Sequence, residues 1–399
     1  MDENACDIVV AGHICLDIIP DLHGCEGFLD RLIPGKLINI GKAIVSTGGP
    51  VSNTGLALQK LGIKTAFMGK IGRDLFGEAV LSLLAEYGAD KTMTVVDGED
   101  TSYTIVIAPL GIDRMYLHNP SVNNTFGHCD VNFDIVAGTR HFHLGYPPLM
   151  QKLYADGGKE LIETFRLAKQ AGVTTSLDMV VPDPTSEAGQ VDWSAVLAEL
   201  LPYVDVFVPS VEETLFMIHR DRFLARKDQA GANDMLDVIT VDDTVELGDR
   251  LLEMGAKIVL LKAGRFGVYL RTAGEDRLAG LGRARPNDAA NWSDRQLWEP
   301  SFQVEKVASA TGSGDSAIAG FLAAYLKGAS AEQSIKYACA VGGHNVQAFD
   351  AVSGIRSWDQ TTEAIVGWAK NDMAIEVAGW HHDDKGQFWV GPADSILAD

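Results

Sequence analysis

Short runs rich in β-branched residues alternate with amphipathic stretches along most of the chain. The short runs are typical of buried strands, whereas apolar residues three and four positions apart in the longer stretches indicate helices. Strands that alternate with helices of about 10–15 residues indicate βαβ units and a mostly parallel sheet covered on both faces. The sequence therefore predicts a doubly wound α/β fold. The predicted strands are 7–10, 63–68, 141–144, 173–179, 204–208, 257–262 and 268–271, and the predicted helices are 53–60, 75–87, 159–170, 194–201, 245–253, 316–326 and 330–340.

Two segments interrupt this alternation because they contain no predicted helix. Residues 14–46 and residues 100–122 are polar, turn-rich and strand-like. Their pattern fits two alternatives equally well, a small separate sheet or long surface loops. Further along the chain, residues 273–301 are predicted to form an extended loop, and residues 380–390 a hairpin around a Lys-Gly turn.

The composition narrows the classes of function. The 399 residues include 33 Lys and Arg against 54 Asp and Glu, a formal net charge of −21. Such a chain repels phosphate backbones and anionic membranes, which argues against nucleic-acid and membrane partners, although local dipoles or metal ions can still hold a small anion. The five cysteines form no CxxC pair, no basic stretch precedes an apolar run at the start, and no apolar run approaches the ~20 residues of a membrane span. We therefore expect a cytoplasmic protein.

The strongest chemical signal is the run ATGSGDSA at residues 310–317, which opens a predicted helix. Small residues at Gly312, Ser313 and Gly314 leave backbone N–H groups uncovered at the helix N-terminus, where an anion can bind. Asp315 lies at the same helix end and could accept a hydroxyl proton while a phosphoryl group rests on the amides. The alternative interpretation is an ordinary Asp N-cap after a glycine turn.

The same run also matches the GxGxxA form of the dinucleotide-binding motif. That motif requires a following strand with an acidic residue about 20 positions later. Here a capping box at residues 330–333 begins another helix instead, and no GxxxxGK[ST] run occurs in the chain. The context therefore disfavours a nicotinamide site.

A second cluster, TGGPVSN at residues 47–53, precedes and enters a predicted helix. Gly48 and Gly49 allow a polar ligand to approach the backbone, and Asn53 can both donate and accept hydrogen bonds. The alternative is a plain loop-to-helix junction. A third cluster, GKIGRDLFG at residues 69–77, is by itself a glycine-punctuated turn followed by a capped helix.

Together these clusters resemble the ribokinase-like (PfkB) carbohydrate kinases. Residues 48–77 are similar to the first signature of that family and residues 310–324 to its second, and the resemblance covers about residues 7–356. It implies one kinase domain over residues 1–399, in which segments 14–46 and 100–122 form a small β-sheet lid. Residues 360–399 would then be a C-terminal extension.

The resemblance also implies residue roles. Asp315 would be the catalytic base, with Gly312, Ser313 and Gly314 as the anion hole. Asp17, in the run GHICLD, would bind sugar hydroxyls beside Gly48, Gly49 and Asn53.

The same resemblance implies which residues bind the nucleotide and the metal ion. Lys262, Gly264 and Gly267, in the run KAGRFG, would line the nucleotide. Glu213 would organise Mg²⁺ through waters, although Ser210 replaces the Asn of the family's Asn-x-x-Glu stretch.

These roles imply an ATP- and Mg²⁺-dependent kinase that phosphorylates a primary hydroxyl of a sugar. A nucleoside kinase is the first alternative, with Tyr103, Tyr116 or Phe126 stacking a base. A non-catalytic sugar sensor is the second, motivated by Ser210 and by Ser309. Because lids in this family often pair edge to edge, a homodimer through the lid is a further expectation.

Ser309 leads to a prediction about monovalent cations. Many members of the family have an Asp six residues before the catalytic Asp that helps to hold such a cation, and Ser309 stands at that place here. We expect weak or absent potassium dependence. Replacing sodium by potassium in a steady-state assay should leave the rate nearly unchanged, and a many-fold rise would contradict this prediction.

Overall fold

The computed structural model describes residues 6–22, 27–109 and 115–396, so residues 23–26 and 110–114 of the two predicted lid segments lie outside the described residues. The strands in this part of the chain are β1 (Ile8–Gly12), β2 (Cys15–Ile19), β3 (Ile44–Gly48), β4 (Thr65–Met68), β5 (Lys70–Gly72), β6 (Thr94–Val96), β7 (Tyr103–Ile107), β8 (Met115–Asn119), β9 (His141–Gly145), β10 (Thr174–Asp178), β11 (Val206–Phe207), β12 (Ile258–Lys262), β13 (Val268–Thr272), β14 (Gln296–Glu299), β15 (His381–Asp383) and β16 (Phe388–Val390). The α-helices are α1 (Pro50–Lys60), α2 (Leu75–Ala85), α3 (Phe133–Ala137), α4 (Gln151–Gln170, interrupted at residues 155–158), α5 (Glu187–Gln190), α6 (Trp193–Leu200), α7 (Val211–Ile218), α8 (Arg220–Ala230), α9 (Val241–Glu253), α10 (Glu275–Leu278), α11 (Ala289–Trp292), α12 (Ser313–Leu326), α13 (Ala331–Asn345) and α14 (Trp358–Ile365).

Ten strands form the main sheet, in the order β15-β16-β14-β13-β12-β11-β10-β9-β1-β4. Neighbours from β4 to β12 run parallel, and those from β12 to β15 antiparallel. Successive residues of a strand face opposite sides of a sheet. Accordingly Val9 belongs to a core with α4, α6, α7 and α9, whereas Val10 belongs to a core with α1, α12 and α13. The predicted doubly wound α/β fold is confirmed.

A second sheet, in the order β3-β2-β7-β8, is built from strands of both segments that interrupt the alternation. Strand β2 pairs antiparallel with β3 and parallel with β7, which places Asp17 opposite Thr104. Of the two alternatives that the pattern left open, the small separate sheet is therefore the one observed.

The C-terminal third contains helices α10, α11 and α14 and strand β14, none of which the sequence predicts. The predicted loop 273–301 is wrong, because β14 lies within it and pairs between β13 and β16. Only Leu297 and Trp298 are apolar in this strand, a run too short to reveal a strand by its pattern. The hairpin β15–β16 forms as predicted and extends the main sheet, and a buried ion pair of 2.9 Å between Arg295 and Asp394 holds the following segment.

Among the described residues, no helix combines the length and the apolar character that a membrane span requires.

Candidate active site

Helix α12 begins three residues earlier than the sequence predicts, at Ser313. Gly312 precedes it with a left-handed backbone (φ 71°), and a Cβ there would lie 2.5 Å from the Cβ of Ala351. The backbone N–H groups of the first helical turn have no acceptor within the helix. The N–H of Ser313 donates to the carbonyl oxygen of Ala310 at 3.2 Å, so the N–H groups of Gly314 and Asp315 are the ones in this turn that point to an anion.

Asp315 is almost fully buried, with 2% of its surface exposed. Its carboxylate accepts hydrogen bonds from Asn53 Nδ2 at 2.9 Å, from the Tyr146 hydroxyl at 3.1 Å and from the Thr54 hydroxyl at 3.5 Å. Burial raises the pKa of Asp315, and the hydrogen bond from Asn53 is the largest effect that opposes the rise. An oriented carboxylate with a raised pKa is well suited to accept a proton.

Gly48 and Gly49 allow a close approach between the small sheet and α1. A Cβ on Gly48 would lie 2.3 Å from Asp17 Oδ2, and one on Gly49 (φ 88°) would lie 2.6 Å from the carbonyl oxygen of His13. Asn53, in the first turn of α1, uses its amide nitrogen on Asp315. Its Oδ1 is buried with no hydrogen-bond partner among the described residues, so this atom can accept a hydrogen bond from a ligand.

Asp17 projects from β2 into the same cleft. Burial raises its pKa to about 6, hydrogen bonds from Cys15 and Thr104 oppose the rise, and the charge of Asp315 adds to it. The two carboxylates therefore influence each other's ionisation. The structure brings all four residues predicted for the sugar, which are Asp17, Gly48, Gly49 and Asn53, together with Asp315.

Sequence reasoning missed two histidines in this cleft. His13 Nε2 lies 3.3 Å from His118 Nε2, and His118 Nδ1 lies 3.0 Å from the hydroxyl of Thr104. His13 stands inside the run that contains Asp17, which is a local signal. His118 has none, because 105 residues separate it from His13 in the sequence.

A buried ion cluster lies on the nucleotide side of Asp315. The ammonium of Lys262 is 2.6 Å from Asp178 Oδ1, 2.7 Å from the carbonyl oxygen of Val208 and 3.9 Å from Glu213 Oε2. Burial alone would lower the pKa of Lys262, but Asp178 and Glu213 outweigh burial and raise it, so this side chain keeps its proton. Asp178 was missed, although a polar residue at the carboxyl end of a parallel strand is a signal for a site.

Glu213 lies in the first turn of α7. Ser210 replaces the family's Asn and forms a capping box with Glu213, in which the backbone N–H of Ser210 donates to Glu213 Oε2 at 2.6 Å. That hydrogen bond engages only one of the two carboxylate oxygens of Glu213. Because Lys262 offsets only one of the three carboxylates Asp178, Glu213 and Asp315, the excess negative charge fits a divalent cation.

The predicted nucleotide residues line a single cavity of about 360 Å³. Gly267 has a left-handed backbone (φ 91°), and a Cβ there would lie 2.0 Å from the carbonyl oxygen of Glu299, so this turn requires glycine. Small and apolar residues of α12 and α13 form much of the wall. The lining includes Lys262, Gly264, Gly267, Ser313 and Gly314, so the predicted nucleotide residues and the helix mouth share one cavity.

The aromatic residues considered for a nucleoside do not form a stacking wall. Phe126 is 0% exposed within the main core, and Tyr103 packs edge-on against Phe76 with ring centroids 5.2 Å apart. Tyr116 is 54% exposed. The full burial of Phe126 in the main core argues against the base-stacking role suggested for it.

The fold and this site define a class, the kinases in which a doubly wound α/β sheet carries a small β-sheet lid. The profile of the pfkB family of carbohydrate kinases matches residues 6–358, and the chain belongs to that family.

Similar proteins include Fructokinase-2 of Oryza sativa subsp. japonica, 25% identical over 217 residues, which are 54% of this chain and 60% of the relative. This chain thus spans less than two thirds of that relative. Ribokinase of Arabidopsis thaliana, solved with ribose and ATP, superimposes with a TM-score of 0.67 at 20% identity over 90% of this chain and 99% of that one. A putative ribokinase II of E. coli, solved with ATP and Mg²⁺, gives 0.66 at 19% identity over 90% and 99%.

Replacing Lys262 by Met should destabilise the protein. The change leaves Asp178 and Glu213 buried without their ammonium, and breaking a buried ion pair in this way costs about 3–5 kcal/mol. Urea denaturation at neutral pH measures the free energy of unfolding.

Lys306→Met is the matched control, because Lys306 is exposed and should change stability by less than about 0.5 kcal/mol. Adding Asp178→Asn to Lys262→Met should restore part of the loss, since the second change removes the unpaired charge. A Lys262→Met protein as stable as the wild type would contradict the role of this cluster.

Proposed function

We propose that this protein is an ATP-dependent kinase that transfers the γ-phosphoryl group to a primary hydroxyl of a sugar. One structural observation gives this proposal its main support. The buried carboxylate of Asp315 lies between a polar cleft, with Asp17 and Asn53, and the cavity that runs along α12 and α13. A base between an acceptor site and a nucleotide-sized cavity is the arrangement that phosphoryl transfer needs.

In the proposed reaction, the carboxylate of Asp17 and the free Oδ1 of Asn53 accept hydrogen bonds from sugar hydroxyls. This positions one hydroxymethyl group at Asp315, which takes its proton as the oxygen attacks the phosphorus. The N–H groups of the first turn of α12 stabilise the charge on the transferring group. Asn53 and Tyr146 keep the carboxylate of Asp315 oriented throughout.

Mg²⁺ fits the acidic cluster described above. When bound, it neutralises the charge of the β- and γ-phosphates. Glu213 would hold it through waters, while the ammonium of Lys262, beside Gly314, lies close enough to the helix mouth to contact a phosphate.

We also propose that this kinase has no nucleic-acid partner and acts in the cytoplasm. The net charge of −21 supports the absence of a nucleic-acid partner, since phosphate backbones are repelled. Four free cysteines in the described residues support a reducing, cytoplasmic location.

Asp315→Asn should lower turnover by roughly 10²–10⁴-fold, because the amide cannot accept the hydroxyl proton. A panel that includes fructose and ribose first identifies the sugar giving the most ADP release. Turnover of wild type and variant is then measured with that sugar, and nucleotide binding is measured by calorimetry. Binding should stay nearly intact, since the N–H groups of the helix mouth are unchanged.

Two outcomes would contradict the proposal. Near-normal turnover of Asp315→Asn would remove this residue from the chemistry. Sugar binding without ADP release, for every sugar of the panel, would favour a non-catalytic sensor instead.

We also propose that the protein forms a homodimer through the small sheet. Strands β3 and β8 are the edges of this sheet among the described residues, and an edge strand offers unpaired backbone groups to another chain. Several large apolar side chains on and beside these edges are exposed, which is typical of an interface. They are Leu32, Ile33, Leu37, Ile44, Val45, Tyr116 and Leu117.

Sedimentation equilibrium tests the dimer. The wild type should sediment as a dimer of 42.9 kDa subunits, and Ile44→Glu with Val45→Glu should give the monomer, because charges replace the apolar edge. Leu75→Glu is the control, since Leu75 is 75% exposed but lies on α2, outside the small sheet. A monomeric wild type would contradict the dimer.

A further inference from the structure

The wall of the nucleotide cavity includes a segment from beyond the matched family region. The family profile ends at residue 358, and Asn371 lines the cavity together with Ser301 and Phe302. Hydrogen bonds join residues 368–371 to residues 301–303. At the bridge between Phe302 and Lys370, Asn371 N–H donates to the Ser301 carbonyl at 2.8 Å and Gln303 N–H to the Ala369 carbonyl at 2.8 Å, and Trp368 Nε1 donates to the Gln303 carbonyl at 2.6 Å.

Two further interactions hold this segment in place. The ring of Trp368 stacks between Phe302 and His344, with ring centroids 4.7 Å and 4.6 Å away. Lys370, which is largely buried, forms an ion pair of 2.6 Å with the fully buried Glu299 at the end of β14. The C-terminal segment is therefore a fixed part of the cavity wall.

Asn371 is the only side-chain amide among the described residues that line the cavity. On the proposed function, the phosphates of the nucleotide bind at the helix mouth, at Ser313 and Gly314, and beside the ammonium of Lys262. The rest of the lining is largely small and apolar, including Val304, Val307 and Val346, as suits a flat aromatic base. A base bound in this cavity would therefore meet polar side chains of the lining away from the phosphates, among them those of Asn371 and Arg265.

Two hydrogen bonds, from Asn371 to Ser301 and from Ser301 to Arg265, determine which atom of this amide is available to a ligand. The hydroxyl of Ser301 donates its single proton to the carbonyl oxygen of Arg265, so its oxygen can only accept from Asn371. Asn371 Nδ2 donates to that oxygen at 2.8 Å and also reaches the carbonyl oxygen of Phe302 at 3.4 Å. Among the described residues nothing donates to Asn371 Oδ1, so the amide presents an acceptor.

Adenine and guanine differ in what they offer to such an acceptor. Adenine carries an amino donor at C6, whereas guanine carries a carbonyl acceptor there. With C6 of the base facing Asn371, Oδ1 would meet the carbonyl oxygen of guanine, and turning the amide so that Nδ2 faced the base would break its hydrogen bond to Ser301. We propose that Asn371, held by Ser301, makes the nucleotide site select adenine over guanine nucleotides. This rests on the proposed function, since it requires a nucleotide in this cavity.

Calorimetry with non-hydrolysable ATP and GTP analogues, in the presence of Mg²⁺, tests this selectivity without turnover. The wild type should bind the ATP analogue about 2–10-fold more tightly, the range expected for one hydrogen bond to the exposed Asn371 that only one ligand makes. Asn371→Ala should bring the ratio of the two affinities close to one. Asn233→Ala, at an exposed asparagine outside the cavity, is the control and should keep the wild-type ratio.

A second variant separates selectivity from general damage to the site. Ser301→Ala releases the amide of Asn371, which can then turn its nitrogen towards guanine. The ratio should fall because the GTP analogue binds more tightly, a gain that a misfolded protein would not produce.

The possible outcomes test the selectivity separately from the presence of a nucleotide site. Equal affinities in the wild type, or an unchanged ratio in Asn371→Ala, would overturn the selectivity while leaving the nucleotide site intact. Failure of the wild type to bind either analogue would overturn the proposed function and this inference with it.

Discussion

The burial of one carboxylate at the mouth of α12 is the constraint on which the site depends. Burying an ionised carboxylate is costly unless other groups compensate for the lost water. At Asp315 the compensation comes from the positive end of the helix and from hydrogen bonds of Asn53, Thr54 and Tyr146. These donors belong to α1 and to the turn after β9, so stabilising a single charge brings three parts of the chain together. The interactions that make Asp315 tolerable in the core are also those that orient it.

The second constraint is the close approach of the small sheet to the main one. Strand β1 ends at Gly12, whose left-handed backbone (φ 118°) passes so near β9 that a Cβ would lie 2.5 Å from the Gly145 carbonyl oxygen. Strand β2 begins three residues later and carries Asp17, against which Gly48 leaves no room for a side chain. The lid is therefore a continuation of the first core strand. Asp17 is positioned by the backbone of the main sheet as well as by its own strand.

Local patterns in the sequence predicted those features that depend on neighbours along the chain. The small residues before Asp315 identified the helix mouth, because an uncovered helix N-terminus is a property of a few consecutive residues. His118 had no comparable signal, since its partner His13 lies 105 residues away in the sequence, and the hydrogen-bond partners of Tyr146 and Asp178 lie 169 and 84 residues away. Strand β14 was missed for a related reason. Its place in the sheet is set by pairing with β13 and β16 rather than by its own two apolar residues.

The excess of acidic residues that gives the chain a net charge of −21 is also found within the site. Around Asp315 the described structure places two further carboxylates, Asp178 and Glu213, against a single ammonium from Lys262. On the proposed function, a triphosphate here depends on backbone N–H groups and a divalent cation far more than on basic side chains. The base would meet mainly small apolar residues and one amide, although Arg265 also lines the cavity. On this proposal an acidic surface and a strongly anionic ligand are compatible, because backbone dipoles and a cation attracted by the carboxylates would hold the ligand.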